Sequence, residues 1–420
     1  MRIGYVSLAL GVPGTELRST VLKNATPARL TEVVLSNLAA LDRILDYNRR
    51  QNIRMLRVSS DIIPFASHPD VAFPWRCLFA EQLAALGKKA RAADIRLSMH
   101  PGQYTVLNSP SGDVVGRAVE DLRYHTDFLD LLGMDGTCKV ILHVGGAYGD
   151  KTAATARFQK NYAELDDGIR RRLVLENDDR IYNAEAVLAL AGALDVPMVF
   201  DNLHHEINPS KRALAAPEWV ALCGKTWHKA DGAQKIHYSQ QQPHKRPGAH
   251  SGTIRVAPFL AFVNQLAGDV DIMLEVKDKN LSAVKCVLCT SAGDVTHPLE
   301  KEWALYKYAV LEHSASIYNE IRTLLNTRGP VSPVAFYGKV ETALQTPFTH
   351  GSCMNAAQHV WGYFKKDVTP KEKQSFAALL GAGEEGAVPF ARVKRFLHRL
   401  ALKYHQPYML SSYYFLPENP

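Results

Sequence analysis

Metal-type residues recur in this chain where short apolar runs end. The run 196–200 stops at Asp201, and His204 follows within Asp201-Asn-Leu-His-His205. A carboxylate and an imidazole three residues apart suit a divalent ion, although an Asp behind a strand is as readily a helix cap. The same pattern returns along the sequence. His100 stands in Ser98-Met-His-Pro-Gly-Gln-Tyr104, His143 just before Gly145-Gly146, and Glu176 in Leu175-Glu-Asn-Asp178. Lys235 and His237 share one run with His250 in the loop beyond it, Glu275 closes another, and Asp61 and His68 follow a further one. A single histidine of this kind is ordinarily structural. A series of them at one register calls for a shared cause.

The mixture of donors defines the chemistry. Imidazole with carboxylate, and no thiolate at any run end, suits Mn²⁺, Zn²⁺ or Fe²⁺ better than an iron–sulfur cluster. The donors exceed what one tetrahedral ion needs, so two or three ions are expected, with Glu176 and Asp201 the best bridging carboxylates. Such clusters activate water and stabilise the attacking and leaving oxygens of an in-line phosphoryl displacement, which puts phosphodiester hydrolysis first. Sugar isomerisation is the other chemistry of a metal-bearing barrel, and it needs fewer histidines. Lys245, Arg246, Lys277 and Lys279 lie close in sequence to these donors and read equally as phosphate contacts or as solvated loop charge. Gln103 and Tyr104 set a planar amide beside an aromatic on a Pro-Gly turn; the pair could wedge into a base stack, or be a capped turn with a rim tyrosine.

Residues so far apart in sequence meet only if the elements bearing them are parallel and closed. Strands are expected at 2–8, 53–58, 95–99, 139–144, 173–175, 196–200, 235–238 and 271–276 from their apolar runs. Helical periodicity fills the intervals at 30–48, 78–93, 114–132, 152–168, 184–193, 216–223 and 254–266. The alternation predicts an α/β fold, a TIM-type (β/α)8 barrel, with the ligands at the mouth formed by the strand ends. No glycine-rich fingerprint follows the first strand to favour a doubly wound sheet. Beyond about residue 295 the alternation stops. One long helix is expected over 300–326, a linker at 328–333, and a small C-terminal all-helical domain with helices near 354–366, 370–381 and 388–405. The domains are therefore drawn as 1–295, 296–334 and 335–420.

Bulk properties constrain this reading little. The 420 residues carry a formal net charge of +7, a mild basic bias that suits an anionic partner without requiring one. Six cysteines in this length make no disulfide framework, and Cys286-Val-Leu-Cys289 has no second pair to complete a zinc site. No apolar run approaches membrane-spanning length, and the start of the chain serves as a first strand rather than a signal peptide, so a cytoplasmic protein is expected.

The residues resemble a known family, the UV damage endonucleases. The matching stretches are Ile62-Pro-Phe-Ala-Ser-His-Pro69, Ser98-Met-His-Pro-Gly-Gln-Tyr104, Leu142-His-Val-Gly-Gly-Ala-Tyr-Gly149, Leu175-Glu-Asn-Asp-Asp179, Asp201-Asn-Leu-His-His205, Lys235-Ile-His237, Arg246-Pro-Gly-Ala-His250 and Glu275-Val-Lys277. The resemblance implies a Mn²⁺-dependent DNA repair enzyme that cuts double-stranded DNA immediately 5′ of a UV photoproduct, leaving a 3′-hydroxyl and a 5′-phosphate. An apurinic-site endonuclease of the related three-metal barrels is the alternative. By the same resemblance His100, His143, Glu176, Asp201, His204, His237, His250 and Glu275 are metal ligands, with His68 near the cluster. Lys235 matches a lysine carboxylated in the family; unmodified, it would be a phosphate contact. Gln103 and Tyr104 match the pair that probes the damaged dinucleotide, and Tyr5 an aromatic at the first strand end; Lys277 joins them as a substrate contact. Where the family often carries an Asn soon after that aromatic, this chain has Leu8-Ala-Leu10. Residues from about 335 resemble a helical domain of uncharacterised function, in which Lys365, Lys366, Lys394, Arg395 and Arg399 with Tyr404, Tyr408 and Tyr414 form either a nucleic-acid surface or an ordinary bundle. A DNA-facing barrel mouth can act as a monomer.

Overall fold

The apolar runs become the strands of one all-parallel sheet. In a computed structural model, which describes residues 1–384 and 390–416, these are β1 (Ile3–Val6), β2 (Met55–Arg57), β3 (Arg96–Ser98), β4 (Val140–His143), β5 (Leu173–Glu176), β6 (Met198–Asp201), β7 (Lys235–Tyr238) and β8 (Asp271–Leu274). Their order is β3-β2-β1-β8-β7-β6-β5-β4. A parallel bridge between Met99 and Val140 joins the two ends: Met99 N donates to Lys139 O at 3.1 Å and Ile141 N to Met99 O at 3.0 Å. The eight strands thus make a TIM-type barrel, as expected.

Between the strands and after the last of them the chain forms α1 (Pro27–Arg50), α2 (Ala80–Ala92), α3 (Gly112–Leu131), α4 (Lys151–Ala163), α5 (Ala184–Leu194), α6 (Ala216–Gly224), α7 (Val256–Val263) and α8 (Asn280–Thr290). The start of α1 shows why. Thr26 caps it by accepting Arg29 N, Pro27 opens it with a missing N–H that costs nothing there, and Leu30, Val34, Leu38, Leu41 and Leu45 bury one stripe. Cys286 and Cys289 lie on α8, and none of the six cysteines is in a disulfide. Among the described residues, no helix is long and apolar enough to cross a membrane.

The chain divides into two compact units: Met1–Ala9, Gly14–Ile254 and Ala261–Val284 form the barrel unit, and Leu10–Pro13, Arg255–Leu260 and the chain from Lys285 onward form a helical unit. The helical unit contains α9 (Thr296–His313), α10 (Ala315–Leu325), α11 (Pro333–Gln345), α12 (His350–Trp361), α13 (Pro370–Glu384) and α14 (Phe390–Lys403). The expected single helix over 300–326 is two, because Ser314 turns extended and caps α10 by accepting Ile317 N. The supposed linker at Pro333 instead starts α11, with Ser332 capping Ala335 N. Residues 388–389 of the expected last helix, and 417–420, lie outside the described residues.

Val360, Phe364, Val393, Leu397, Leu400 and Met409 centre the helical core. The three tyrosines considered for a nucleic-acid surface belong to this packing. Tyr404 donates to Glu372, Tyr408 to Ala304 O, and Tyr414 is buried under Lys394, which pairs with Glu312 at 2.5 Å. An aromatic platform for bases is therefore not what these tyrosines form.

Candidate metal centre and cleft

Strand register brings the donors together before any side chain is considered. His143 pairs with Glu176 across β4 and β5, and Asp201 with His237 across β6 and β7. Residues two apart on a strand share a face, so the residues below them point into the same interior: Ile141 under His143, Val174 under Glu176, Val199 under Asp201. Those three aliphatic side chains cluster and form an apolar floor. Ligands standing on such a floor have one direction left open, toward the mouth.

Glu176 is the centre. One of its carboxylate oxygens lies 2.9 Å from His100 Nε2 and 3.5 Å from His143 Nε2; the other is 2.7 Å from His237 Nδ1 and 3.8 Å from His204 Nδ1. Burial alone would raise this carboxyl, but the His237 and His143 rings lead the contributions that outweigh it and hold it well below its ordinary value. Glu275 is held low against its own burial by the Arg57 guanidinium first, then by His237 and His250. Asp201 is shifted upward by burial and by its two carboxylate neighbours.

The donors fit divalent ions. Burial pushes His100 down to about 4, so its ring is neutral at neutral pH, and its Nδ1–H is spent on Pro101 O at 3.0 Å. Its Nε2 lone pair therefore faces a carboxylate oxygen, an arrangement that repels unless a cation accepts both. Contacts of 2.7–3.1 Å between His100, His237, Glu176 and Glu275 equal the spacing of adjacent ligands on one ion with bonds of about 2.1 Å. Buried atoms without a hydrogen-bond partner include Asp201 Oδ2, His143 Nδ1 and His237 Nε2. Two groups have ligand atoms within 4.8 Å of one another: His100 with His143 and Glu176, and Glu176 with Asp201, His237 and Glu275. Glu176 belongs to both, as a bridging carboxylate must.

Asp201 is a cap and a candidate ligand at once. One oxygen accepts His204 N at 2.8 Å and starts the short helix Asn202–Ile207, leaving the other free. His204 donates Nδ1–H to Asn177 O at 2.9 Å, which leaves Nε2 as the ring nitrogen available to an ion. Asp201, Glu176 and Glu275, with that carbonyl, overcome burial and push His204 up to about 9. Asn177 also clamps the Asp201 backbone, donating to its carbonyl at 3.0 Å and accepting its N–H at 2.9 Å.

The remaining sequence candidates take varied places. His250 approaches Glu275 at 3.8 Å, at the edge of the cluster. His68 stands apart from both ligand groups, on the cleft wall, where its Nδ1 accepts Asp70 N at 3.2 Å. Lys235 is 1% exposed, so as an unmodified lysine it does not reach a phosphate at the mouth; burial, with Arg96 and Arg57 adding, drives its ammonium well below its usual value. Lys277 is exposed on the loop after β8. Tyr5 requires a correction as a substrate contact. It pairs in register with Leu56 on the face opposite Arg57, is fully buried, and donates its hydroxyl to Asn48 on α1 at 2.8 Å. Arg57 was missed altogether, although an arginine within a buried strand is itself a signal; it forms an ion pair with Glu275.

Above the cluster opens a cleft of about 1450 Å³, larger than a typical small-molecule pocket and lined by Arg57, His68, His100, Tyr148, His204 and Arg246 among others. Gln103 and Tyr104 stand on its rim, and Tyr104 is 83% exposed. An aromatic presented to solvent beside buried charge is placed to meet a ligand.

Comparison with known proteins places these features in context. A family model for UV-endonuclease UvdE matches residues 2–300, and one for a protein of unknown function (DUF1722) matches residues 307–418. The UV DNA damage endonuclease of Clostridium perfringens (strain 13 / Type A) is 33% identical over 421 residues, covering 99% of each chain. That of Bacillus velezensis is 34% identical over 261 residues, 61% of this chain and 81% of its own. The crystal structure of SacUVDE is similar with a TM-score of 0.65 at 38% identity, over 68% of this chain and 96% of its own.

Proposed function

The chain belongs to the UV-endonuclease UvdE family and is a UV DNA damage endonuclease, and we propose that it hydrolyses the phosphodiester immediately 5′ of a photoproduct, leaving a 3′-hydroxyl and a 5′-phosphate. The observation that carries this reading is Glu176, a single carboxylate gathered by imidazoles from neighbouring strands beneath a cleft with Gln103 and Tyr104 on its rim. His100, His143, Glu176, Asp201, His204, His237, His250 and Glu275 would hold two or three ions, Mn²⁺ in this reading, with Zn²⁺ or another divalent ion as the alternative. When bound, such a cluster supplies an activated water and neutralises charge developing on the phosphate oxygens.

The chain's own residues do the rest. Glu176 keeps its charge against burial and fixes three rings around it. His68 accepts Asp70 N at Nδ1, which leaves Nε2–H to donate to a phosphate oxygen. Lys235, whose ammonium form burial disfavours, is suited to take up CO₂ as a carbamate and add one more carboxylate to the cluster. Arg246 at the cleft and Lys277 beyond β8 supply backbone phosphate contacts, which position the duplex without reading sequence. Gln103 and Tyr104 probe the lesion by entering the stack from the rim. All these residues lie in the barrel unit, so one chain suffices; a monomer acting in the cytoplasm completes the proposal.

The test is incision of a duplex carrying one defined cyclobutane dimer, mapped to the nucleotide, with Mn²⁺ and with chelator, beside undamaged and abasic duplexes. A metal-dependent nick directly 5′ of the dimer is expected. Cleavage of the abasic duplex alone would transfer the chain to apurinic-site chemistry. Intact-mass measurement under CO₂ tests Lys235, which should gain one carboxyl group.

A further inference from the structure

We propose that Asp121 is a positioning residue that fixes the lesion-probing loop to the loop after β2. The inference rests on the reading of Gln103 and Tyr104 as the probing pair. Asp121 lies midway along α3 and lines the cleft. Its two carboxylate oxygens accept from hydroxyls on two different loops: Ser67 Oγ at 2.8 Å and Thr105 Oγ1 at 2.6 Å. Thr105 is the residue after Tyr104, and Ser67 the residue before His68.

These bonds matter because little else restrains the probing pair. Neither Gln103 nor Tyr104 makes a side-chain hydrogen bond among the described residues, and a Cβ at Gly102 would meet nothing within 4 Å. The turn is closed by Thr105 N donating to Gly102 O at 3.0 Å, and its one buried side-chain anchor is the Thr105 hydroxyl. A ring meant to separate stacked bases works only if its backbone resists being pushed back, so ordering the base of the loop in advance lowers the cost of insertion.

The same helical turn holds the neighbouring segment. Tyr124 donates to Ser60 O at 2.8 Å, and the Ser60 hydroxyl lies 3.0 Å from His125 Nε2 and 2.7 Å from the carbonyl of His100. Residues 121–125 of α3 therefore register the rim that carries Tyr104 against the strand end that carries His100. A hydroxyl donating to a carboxylate is stronger than a neutral pair, and this carboxylate serves two loops at once.

Thr105→Val removes the hydroxyl at nearly constant volume, and Thr105→Ser restores it. The readouts are kcat and KM on the dimer-containing duplex, the fluorescence of a 2-aminopurine placed beside the dimer as a report of base unstacking under chelator, metal content and Tm. Loss of the charge-assisted bond should lower kcat/KM and the unstacking equilibrium by about 10-fold or more, with metal content and Tm unchanged and with the serine variant close to wild type. Asp121→Asn, which keeps shape and removes charge, should fall between. Wild-type fluorescence and kcat/KM in Thr105→Val would overturn the proposal, as would a loss of activity that merely follows lost metal or lowered Tm. Tyr104→Ala runs as the control. If it leaves the fluorescence unchanged, the probing reading itself fails and takes this inference with it; if it abolishes the signal while Thr105→Val does not, only the role of Asp121 is lost.

Discussion

Asp201 stands where β6 ends and a short helix begins, so one oxygen caps His204 N–H while the other, without a hydrogen-bond partner, belongs to the candidate metal centre. The cap is what the structure shows, and because a carboxylate has two oxygens the second is left for the proposed ligand role. The Asn177 side chain enforces the division by clamping the Asp201 backbone on both sides, while its main-chain carbonyl orients His204. Outer partners of this kind ordinarily contribute about 10- to 100-fold in metal affinity. Asn177→Ala should weaken Mn²⁺ binding by that factor in a direct titration, with incision recovering at raised Mn²⁺; unchanged affinity would reduce Asn177 to packing. Tyr5 makes the opposite case. As a core residue bonded to Asn48, it should tolerate Tyr5→Phe with kcat/KM unchanged, while urea unfolding shows a loss of roughly 1–3 kcal/mol because Asn48 is left with an unsatisfied acceptor. A fall in activity without that loss would return Tyr5 to the substrate.

Among the elements, the α2–α3 packing shows how closely the outer layer is fitted. A Cβ added at Gly87 on α2 would come within 1.6 Å of Leu132 O, a backbone atom that cannot swing aside. Gly87→Ala gains about 1 kcal/mol of helix propensity, yet the overlap forces the helices apart at a cost of roughly 1–3 kcal/mol. Net destabilisation is expected as a lower urea midpoint; a raised midpoint would mean the helices separate freely. Such contacts were invisible in the sequence, whereas the strands were legible almost residue by residue, because a buried parallel strand must be an apolar run. The candidate ligands at strand ends were legible for the same reason: each interrupts a run with a residue that burial penalises. What failed to show was tertiary. The face of Tyr5 depends on register with Leu56, the roles of Asn177, Arg57 and Asp121 depend on loops and strands distant in sequence, and Pro333 reads as a breaker although at N1 it begins α11.

At the scale of the whole molecule, two units with different logics share the chain. The barrel unit gathers its buried charges around the candidate metal centre, and the helical unit buries Glu302 beside a phenol. Glu302 is 2% exposed and accepts from Tyr337 Oη at 3.1 Å. Burial outweighs that bond and raises the carboxyl from 4.5 to about 7. Folding therefore takes up a proton between those values, so the contribution of Glu302 is fully present below about pH 4.5 and is lost as pH rises through about 7. A shift of this size corresponds to stability on the order of 3 kcal/mol. Hydrogen exchange of the intact chain can localise the effect. Peptides from α9 and α11, corrected for intrinsic exchange rates, should lose opening free energy between pH 5 and pH 8 in wild type and change much less in Glu302→Gln, which has no charge to expose. At pH 8 the glutamine variant should be the better protected of the two. Parallel pH slopes for the two proteins would show that the Glu302 carboxyl ionises within the fold without penalty, and that Tyr337 alone meets its charge.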